Sequence, residues 1–303
     1  MTTIALVPDD QAVQALADVR GLRAVRYQTL DELPDEAEKA QVLVPGIGVP
    51  AGSDVAAHLP SLRLVQLLTA GVEAWVGKVP EHVLLSAGRG AHGATTAEWA
   101  MTALLTIYRE FRELEDARRA GSWAPRVTET LWDKRVLVVG AGDLGRQMRR
   151  KLTAFDAHPT LVGTRARDGV HAVADLPDLL PEHDAVVVVV PMTSATRGMV
   201  DAAFLARMRD GAILVNAARG PVVDTDALLA ELQSGRLRAA LDVTDPEPLP
   251  AGHPLWTAPG LLLTPHVGGS ASGHRERAYR VMAEQIALFV ESGTTANLVR
   301  GEY

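Results

Sequence analysis

Three side chains with the potential for anion binding and proton transfer follow predicted strands in the second half of the chain. Arg219 comes after the apolar run AILVNA, and His266 comes after LLLT. Asp242 lies near the end of the strand pattern AALDV, and Glu247 follows five residues later. A guanidinium can bind a carboxylate through two parallel hydrogen bonds, and an imidazole changes charge near neutral pH and can therefore transfer a proton. These residue types fit a reaction in which an anion is bound while a proton moves.

A glycine turn lies earlier in the chain, in RVLVVGAGDLGRQMRRKL (residues 135–152), between a buried strand pattern and a helix pattern. Gly140 permits the tight turn, Gly142 lets a pyrophosphate approach the backbone, and Gly145 lets the helix pack on its strand. The N-terminus of that helix offers N–H groups and the positive end of its dipole to an anion. The stretch predicts a dinucleotide site, and plain packing of strand, turn and helix is the alternative.

The residues after the next strand predict which dinucleotide binds. An NAD site usually carries Asp or Glu about twenty residues after the glycines, where it binds the ribose hydroxyls. Here the strand TLVG leads into Thr164-Arg165-Ala166-Arg167, which has a hydroxyl and two guanidiniums but no carboxylate. These groups would attract a 2′-phosphate, so we expect NADP(H), with NAD(H) as a possible cofactor. In the alternative, both arginines are solvated and Asp168 binds the ribose.

Strand patterns alternate with helix patterns, which predicts an α/β fold with parallel sheets covered on both faces. We expect two Rossmann-like doubly wound domains with a cleft between them, and ligands outside the carboxyl ends of the strands. Residues 1–95 and 275–303 would form a discontinuous substrate domain, and residues 96–274 the dinucleotide-binding domain. A helix pattern over residues 93–120 predicts one long helix between the two.

Composition excludes several classes of protein. The 303 residues are 47% hydrophobic and 22% charged, as in ordinary globular proteins, and the net charge of −7 argues against a general nucleic-acid surface. Because the chain has no cysteine, it has no disulfide and no thiolate metal site. We see neither a secretory signal nor an apolar run long enough to span a bilayer. We therefore expect a cytoplasmic protein with a small-molecule partner and no metal, nucleic acid or membrane partner.

Five motifs, taken in order, resemble the D-isomer-specific 2-hydroxyacid dehydrogenase family, which includes glyoxylate/hydroxypyruvate reductases. They are the Gly-Ala-Gly turn, PMTSATRGMV (residues 191–200), NAARG, the spacing of Asp242 and Glu247, and TPH. The resemblance covers essentially the whole chain. It implies hydride transfer between NAD(P)H and a small 2-keto acid or D-2-hydroxy acid, with reduction of the glyoxylate or hydroxypyruvate type, and a homodimer.

The resemblance also implies roles for individual residues. Arg219, Glu247 and His266 would be the catalytic set. Arg219 would bind and polarise the keto acid, and His266 would donate a proton, with Glu247 favouring the imidazolium. Substrate carboxylate would bind at Ala70, Gly71 and Val72, together with Arg219. Cofactor contacts would come from Thr96, Asp143, Leu144, Pro191, Thr196, Ala217, Arg219, Asp242 and His266.

Alternatives to these assignments follow from the same residues. Some relatives of the family are nucleotide-sensing corepressors with little turnover, and the intact Arg219, Glu247 and His266 favour an enzyme. Asp242 could merely cap a turn. Most of the nine histidines should be structural or exposed to solvent, although His92 and His274 could line a cleft.

Overall fold

The computed structural model describes residues 2–49 and 58–301 of the chain. The chain divides into two compact units, the first made of Met1–His92 and Ser272–Tyr303, and the second of Gly93–Ala271. The boundaries that we expected from the sequence, 95/96 and 274/275, lie a few residues further along the chain. The α/β class with two parallel sheets is confirmed.

The first unit is built on a five-stranded parallel sheet in the order β2-β1-β3-β4-β5. This is the order of a doubly wound sheet of the flavodoxin type. Asp9 caps the helix that follows the first strand, because its carboxylate accepts a hydrogen bond from the backbone N–H of Ala12. The elements are β1 (Thr3–Val7), α1 (Asp10–Ala15), β2 (Leu22–Arg26), β3 (Val42–Leu43), β4 (Leu64–Gln66) and β5 (Leu84–Ser86).

The second unit begins with two helices, α2 (Gly93–Tyr108) and α3 (Phe111–Arg119), so the prediction of one helix over residues 93–120 is wrong. The break lies at Glu110, which adopts the left-handed conformation with φ 50° and ψ 42°. A left-handed residue ends a helix because the backbone turns away from the helical hydrogen-bond ladder. This position usually holds glycine or asparagine, so a glutamate gave no local signal in the sequence.

A seven-stranded parallel sheet forms the rest of the second unit, in the order β12-β11-β10-β9-β6-β7-β8. The strand order reverses between β6 and β9, which is the position where doubly wound sheets bind their ligands. The short strand β8 was not expected. The elements are β6 (Arg135–Val139), α4 (Asp143–Ala154), β7 (His158–Gly163), β8 (His171–Ala172), α5 (Leu176–Leu179), β9 (Ala185–Val188), α6 (Ala202–Arg207), β10 (Ile213–Asn216), α7 (Thr225–Gln233), β11 (Arg238–Leu241) and β12 (Leu261–Leu263).

The central strands of this sheet are apolar on both faces. Val186 and Leu214 pack into the hydrophobic cluster on one face, and Val187 and Val215 pack into the cluster on the other. All four side chains are fully buried. Because successive residues of a strand point to opposite faces, burial on both sides explains why these strands read as continuous runs such as AVVVVV rather than as alternating patterns.

The last helix, α8 (His274–Ser292), belongs to the first unit. Its residues Ala278, Met282 and Ile286 share a core with Val7 and Leu64 of that unit's sheet. The helix ends at Gly293, which takes the left-handed conformation of a typical C-terminal cap. Within the described part of the chain, no helix combines the length and the apolar character needed to cross a membrane.

Candidate active site

The glycine turn after β6 has two glycines that the packing requires. Gly140 has a φ of +121°, and a Cβ there would lie 2.5 Å from the carbonyl oxygen of Val189 on the loop after β9. A Cβ on Gly145 would lie 1.9 Å from the carbonyl oxygen of Gly140. Helix α4 therefore starts directly against the turn, as predicted for the first and third glycines of the motif.

The second glycine, Gly142, has open space beside its Cα atom, whereas the other two glycines are in close contact with backbone atoms. A Cβ there would meet no atom within 4 Å. Gly142 is also the N-terminal cap of α4, and no side chain caps the helix there. N–H groups of the first turn and the positive dipole end are thus presented beside an open backbone, which fits a pyrophosphate. Of the two residues that follow, Leu144 packs against the core, and the Asp143 carboxylate lies beside Gly93 at the start of α2.

The segment after β7 carries the predicted 2′-phosphate residues. Thr164 and Arg165 are exposed. Arg167 reaches back to the glycine turn, where its Nη2 donates a hydrogen bond to the carbonyl oxygen of Ala141 at 3.1 Å. Backbone bonds between Arg167 and Val170, at 3.0 and 2.9 Å, close a tight turn around the exposed Asp168. One guanidinium is thereby fixed beside the turn that would hold the dinucleotide.

The loop after β9 contains Pro191 and Thr196. The Thr196 hydroxyl donates to the carbonyl oxygen of Pro191 at 2.6 Å and accepts from the backbone N–H of Thr193 at 2.9 Å. Thr196 is 9% exposed. Its side chain therefore holds the loop in shape, and this contact was not predicted from the sequence.

Arg219 follows β10 on a loop that is fixed by a buried asparagine. The side chain of Asn216 donates to the carbonyl oxygen of Arg219 and accepts from the N–H of Ala218, both at 3.0 Å. Ala217 continues the pairing with β9 through its N–H to Val188, at 3.1 Å. A Cβ on Gly220 would lie 1.8 Å from the carbonyl oxygen of Thr244. The glycine that follows Arg219 is therefore required for this loop to pack on the loop after β11.

His266 and Glu247 are in direct contact. The Nδ1 atom of His266 lies 2.6 Å from Oε1 of Glu247, and the side chains are 46% and 40% exposed. Because a carboxylate only accepts hydrogen bonds, Nδ1 is the donor in this pair. The other ring nitrogen, Nε2, is then the atom that can exchange a proton with a substrate.

Asp242 organises the loop that carries His266, residues 264–268. Its carboxylate accepts hydrogen bonds from the Thr264 hydroxyl at 2.7 Å and from the N–H groups of Val267 and Gly268, both at 2.8 Å. Its carbonyl oxygen accepts from the N–H of His266 at 2.7 Å. Asp242 is 3% exposed. The sequence left open a cofactor contact or a turn-capping role for Asp242, and these bonds are those of a turn-capping carboxylate.

The backbone of His266 is in the left-handed region, with a φ of +54°. Such conformations in residues other than glycine cost about 1–3 kcal/mol and persist only where surrounding contacts impose them. The bonds to Asp242 are those contacts. Thr96 of α2 lies beside the same loop, because a Cβ on Gly268 would be 3.4 Å from its Cγ2 atom and 2.8 Å from Oδ2 of Asp242.

The turn predicted to bind a carboxylate lies in the first unit, after β4. The Thr69 hydroxyl donates to the carbonyl oxygen of Gly71 at 2.8 Å, which fixes the turn. Val72 is buried in the core of that unit, and Ala70 is partly exposed. All the other predicted site residues lie in the second unit.

In the second unit the predicted residues follow the strand order of the sheet. The loop after β12 carries His266, the loop after β11 carries Asp242 and Glu247, and the loop after β10 carries Arg219. Across the next strands of the sheet, the loop after β9 carries Pro191 and Thr196, and the loop after β6 is the glycine turn. The loop after β7 carries Arg165 and Arg167. All these strands are parallel, so the loops leave from one edge. The residues predicted to transfer a proton, to bind an anion and to bind the nucleotide thus share the carboxyl edge of one sheet.

Sequence reasoning missed three residues that shape this edge, namely Asn216, Thr264 and Gly268. Asn216 is the only polar residue of the run AILVNA, which was a usable signal because a buried amide must be hydrogen-bonded. Thr264 and Gly268 carried no comparable signal. Their importance follows from their bonds to Asp242, which are visible only in the folded chain.

Comparison with known proteins shows which family this chain is related to. The model of the D-isomer specific 2-hydroxyacid dehydrogenase, NAD binding domain, matches residues 101–268, more than half of the chain. The chain belongs to the D-isomer-specific 2-hydroxyacid dehydrogenase family. The matched region contains the glycine turn, Arg219, Glu247 and His266.

Individual relatives cover nearly the whole chain. The glyoxylate reductase/hydroxypyruvate reductase of Homo sapiens is 30% identical over 89% of this chain and 80% of its own. A D-isomer specific 2-hydroxyacid dehydrogenase from Xanthobacter autotrophicus Py2, solved with NADPH and MES, is 30% identical with a TM-score of 0.83, over 99% of this chain and 100% of its own. An NADPH-dependent glyoxylate/hydroxypyruvate reductase from Sinorhizobium meliloti, solved with NADP and sulfate, is 26% identical with a TM-score of 0.84 over 100% of both chains.

Family membership gives the reaction class. The protein is an oxidoreductase that transfers a hydride between a nicotinamide dinucleotide and a 2-keto or 2-hydroxy acid. The named relatives are reductases and dehydrogenases, so they support this reaction and not the corepressor alternative.

Proposed function

We propose that this dehydrogenase reduces a small 2-keto acid of the glyoxylate or hydroxypyruvate type to the D-2-hydroxy acid, and that it prefers NADPH to NADH. The observation that carries the proposal is the contact of His266 with Glu247, on the sheet edge that also carries Arg219 and the glycine turn. Relatives that are named for this reaction support the substrate class.

His266 is proposed to supply the proton. Glu247 accepts a hydrogen bond from Nδ1 at 2.6 Å, so the transferred proton is carried by the other ring nitrogen, Nε2. In the reductive direction Nε2 donates that proton to the carbonyl oxygen of the substrate as negative charge develops there. In the oxidative direction the neutral ring accepts the hydroxyl proton at the same atom.

Arg219 is proposed to bind and polarise the substrate. A 2-keto acid presents a carboxylate and a carbonyl side by side, and a planar guanidinium can donate to both. The Asn216 and Gly220 contacts hold the backbone of Arg219 in place, and Nη1 of its guanidinium donates to the carbonyl oxygen of Ala218 at 2.7 Å. Backbone N–H groups of Gly71 and Val72 are proposed to hold the other carboxylate oxygen.

The residues of the glycine turn are proposed to bind the dinucleotide. Gly142 and the first turn of α4 would hold the pyrophosphate, and the first turn of α2 would contribute Thr96. When bound, the reduced nicotinamide supplies the hydride to the carbonyl carbon. The preference for NADPH rests on Thr164, Arg165 and Arg167, and the bond from Arg167 to Ala141 fixes one of the two guanidiniums close to the turn.

The main test is a panel of 2-keto acids assayed with each cofactor. We expect turnover of glyoxylate and hydroxypyruvate with NADPH, and a higher kcat/KM for NADPH than for NADH. Tight cofactor binding without turnover of any 2-keto acid would overturn the proposed activity. A clear preference for NADH would overturn the cofactor assignment and leave the activity standing.

Substitution of the arginines tests the cofactor assignment at the residue level. A charge-assisted hydrogen bond contributes about 1.5–3 kcal/mol, so Arg165→Gln or Arg167→Gln should lower the NADPH-to-NADH ratio of kcat/KM at least about tenfold. Arg150→Gln is the matched control, because Arg150 is an exposed arginine of α4 that bonds to Gln147. Equal effects on both cofactors would point to a loss of folding rather than of phosphate binding.

A homodimer is part of the proposal. The segment from α3 to β6 exposes large apolar side chains, with Trp123 at 95%, Val127 at 98% and Trp132 at 64%, and an interface between two subunits would bury such side chains. Sedimentation equilibrium should give the mass of a dimer, and Trp123→Asp should weaken it. A monomer at all concentrations would contradict this. The cytoplasmic location stays a prediction from the sequence.

A further inference from the structure

Gly163 is the last residue of β7 and pairs with Ala172 of β8. An NAD site usually carries Asp or Glu about twenty residues after the glycines of its turn, where the acid binds the ribose hydroxyls. Gly163 lies at about that distance from the turn at residues 140–145. A residue without a side chain therefore stands where an NAD site has its carboxylate.

The space beside Gly163 is filled by the guanidinium of Arg167. A Cβ on Gly163 would lie 3.0 Å from Nη1 of Arg167 and 3.2 Å from Cγ1 of Val170. Nη2 of the same guanidinium donates to the carbonyl oxygen of Ala141 at 3.1 Å. The guanidinium thus lies between the end of β7 and the glycine turn, in space that a side chain at position 163 would need.

The backbone of Gly163 does not itself require a glycine. It belongs to β7 and lies outside the positive-φ region, so residues with side chains can adopt the same conformation. Glycine weakens a strand, because it loses more backbone freedom on folding and has no side chain to pack. The contact with Arg167 is therefore the feature that a larger residue would disturb.

The backbone of Arg167 is held in place, so the space at Gly163 decides where its side chain can lie. Arg167 and Val170 exchange backbone hydrogen bonds at 3.0 and 2.9 Å, and Val170 packs against the hydrophobic cluster on one face of the sheet. Arg165 and Arg167 are both exposed to solvent, but Arg167 is the one that is bonded to the glycine turn.

We propose that Gly163 determines the preference for NADPH, because it leaves room for the guanidinium of Arg167 at the position of the ribose-binding acid. The inference rests on the proposed function, in which NADPH is the preferred cofactor. A carboxylate at this position accepts hydrogen bonds from ribose hydroxyls and repels a phosphate, whereas a guanidinium donates two parallel hydrogen bonds to phosphate oxygens. The same place in the fold thus carries the opposite charge and selects the 2′-phosphate.

Arg167 keeps the donors and the charge that a phosphate needs. A guanidinium has five N–H donors in one plane, and the bond to Ala141 uses one of them. The acceptor is an uncharged carbonyl, so this contact does not neutralise the guanidinium. Ala141 belongs to the turn that would hold the pyrophosphate, and the bond therefore keeps the remaining donors beside the dinucleotide.

The test measures the Kd of NADPH and of NADH for the full-length protein without substrate, by nicotinamide fluorescence. The native protein should bind NADPH at least about tenfold more tightly, which corresponds to about 1.4 kcal/mol. Gly163→Val should remove most of this preference by weakening NADPH, with the Kd of NADH changed much less. If thermal unfolding shows that Gly163→Val does not fold, Gly163→Ala replaces it and should give a smaller change in the same direction.

A double-mutant cycle shows whether Gly163 acts through Arg167. In an Arg167→Gln background, Gly163→Val should change the ratio of the two Kd values little further, because the guanidinium that it displaces is already absent. Arg165→Gln is the matched control, because Arg165 is an exposed arginine of the same segment. In that background Gly163→Val should still lower the ratio as it does in the native protein.

The outcomes separate the inference from the proposed function. Equal binding of both cofactors by the native protein, or tighter binding of NADH, would overturn the cofactor assignment and the inference together. A native preference for NADPH that survives Gly163→Val and Gly163→Ala would overturn the inference alone. The same would follow if Gly163→Val weakened both cofactors equally, or if it had its full effect in the Arg167→Gln background.

Discussion

Replacing Asp242 by asparagine should destabilise the loop that carries His266. The carboxylate uses Oδ1 for Thr264 and Val267, and Oδ2 for Gly268. An asparagine has one acceptor oxygen and one NH₂ donor. If its oxygen takes the place of Oδ1, its NH₂ group faces the N–H of Gly268, donor against donor. If the amide is reversed, two donors lose their acceptor instead of one.

The magnitude follows from the bonds that are lost. One hydrogen bond to a charged group contributes about 1.5–3 kcal/mol, and leaving the buried N–H of Gly268 without an acceptor makes the upper end of that range the better figure. We therefore expect a loss of about 3 kcal/mol in the free energy of unfolding, or about 6–12 °C in Tm for a unit of this size. Thr264→Val removes one neutral donor and should cost about 1 kcal/mol.

Thermal unfolding followed by circular dichroism, together with steady-state kinetics, checks both parts of the reasoning. A catalytic group displaced by about 1 Å can lose about 10²-fold in rate, so kcat should fall along with Tm. A Tm for Asp242→Asn within about 2 °C of the parent would refute the structural role of this carboxylate. If kcat fell while Tm stayed the same, Asp242 would act on the cofactor directly and not through the loop.

Three further predictions concern histidines. His266→Ala should lower kcat by about 10²–10⁴-fold and leave the Kd of NADPH, measured by fluorescence, nearly unchanged; an unaltered kcat would remove His266 from the mechanism. Glu247→Gln keeps an acceptor oxygen for Nδ1 of His266 but removes the carboxylate charge, and should lower kcat of reduction; an unchanged kcat would count against a role for Glu247 in proton transfer. Burial lowers the pKa of His183, whose ring bonds to Leu179 and Thr160 at 2.7 and 2.9 Å. The unfolded chain therefore takes up this proton first as pH falls below about 6.5, so stability should decline there, and less so in His183→Gln; an equal decline in both, by urea unfolding, would contradict the assignment.

The parts of the fold that the sequence predicted well are those determined by local patterns. The strand, turn and helix at residues 135–154 were predictable because the spacing of the three glycines is itself the signal: Gly140 and Gly145 permit close backbone contacts, and Gly142 leaves the backbone open. The break between α2 and α3 was not, because Glu110 takes a backbone conformation that glutamate rarely adopts. The two-residue strand β8 is held by pairing with Val162 and Gly163, and its own residues have no strand pattern.

In the candidate site, too, the sequence predicted the chemically distinctive residues but not the contacts that depend on distant parts of the chain. Residue types and order predicted Arg219, Glu247 and His266, because a guanidinium, an acid and an imidazole are recognisable wherever they follow a strand. The role of Asp242 in the loop was not predictable beyond a possible turn cap. Its bonds join residues 22, 25 and 26 positions apart, and such pairing depends on β11 and β12 lying side by side in the folded sheet.

The loop at residues 264–268 shows why those distant bonds matter for function. A histidine at φ +54° is locally unfavourable by about 1–3 kcal/mol, and nothing in TPHVGG alone would hold it there. Asp242 supplies three side-chain bonds and one backbone bond to this loop, enough to offset that cost at about 1 kcal/mol or more each. The position of the loop that carries the His266 ring is therefore set by a buried acid that directly follows the neighbouring strand, while Nδ1 of the ring is held by Glu247. Two carboxylates five residues apart in the sequence thus have separate contacts, because Asp242 is buried and bonded to the backbone N–H groups of the loop, whereas Glu247 is exposed and bonded to the ring itself.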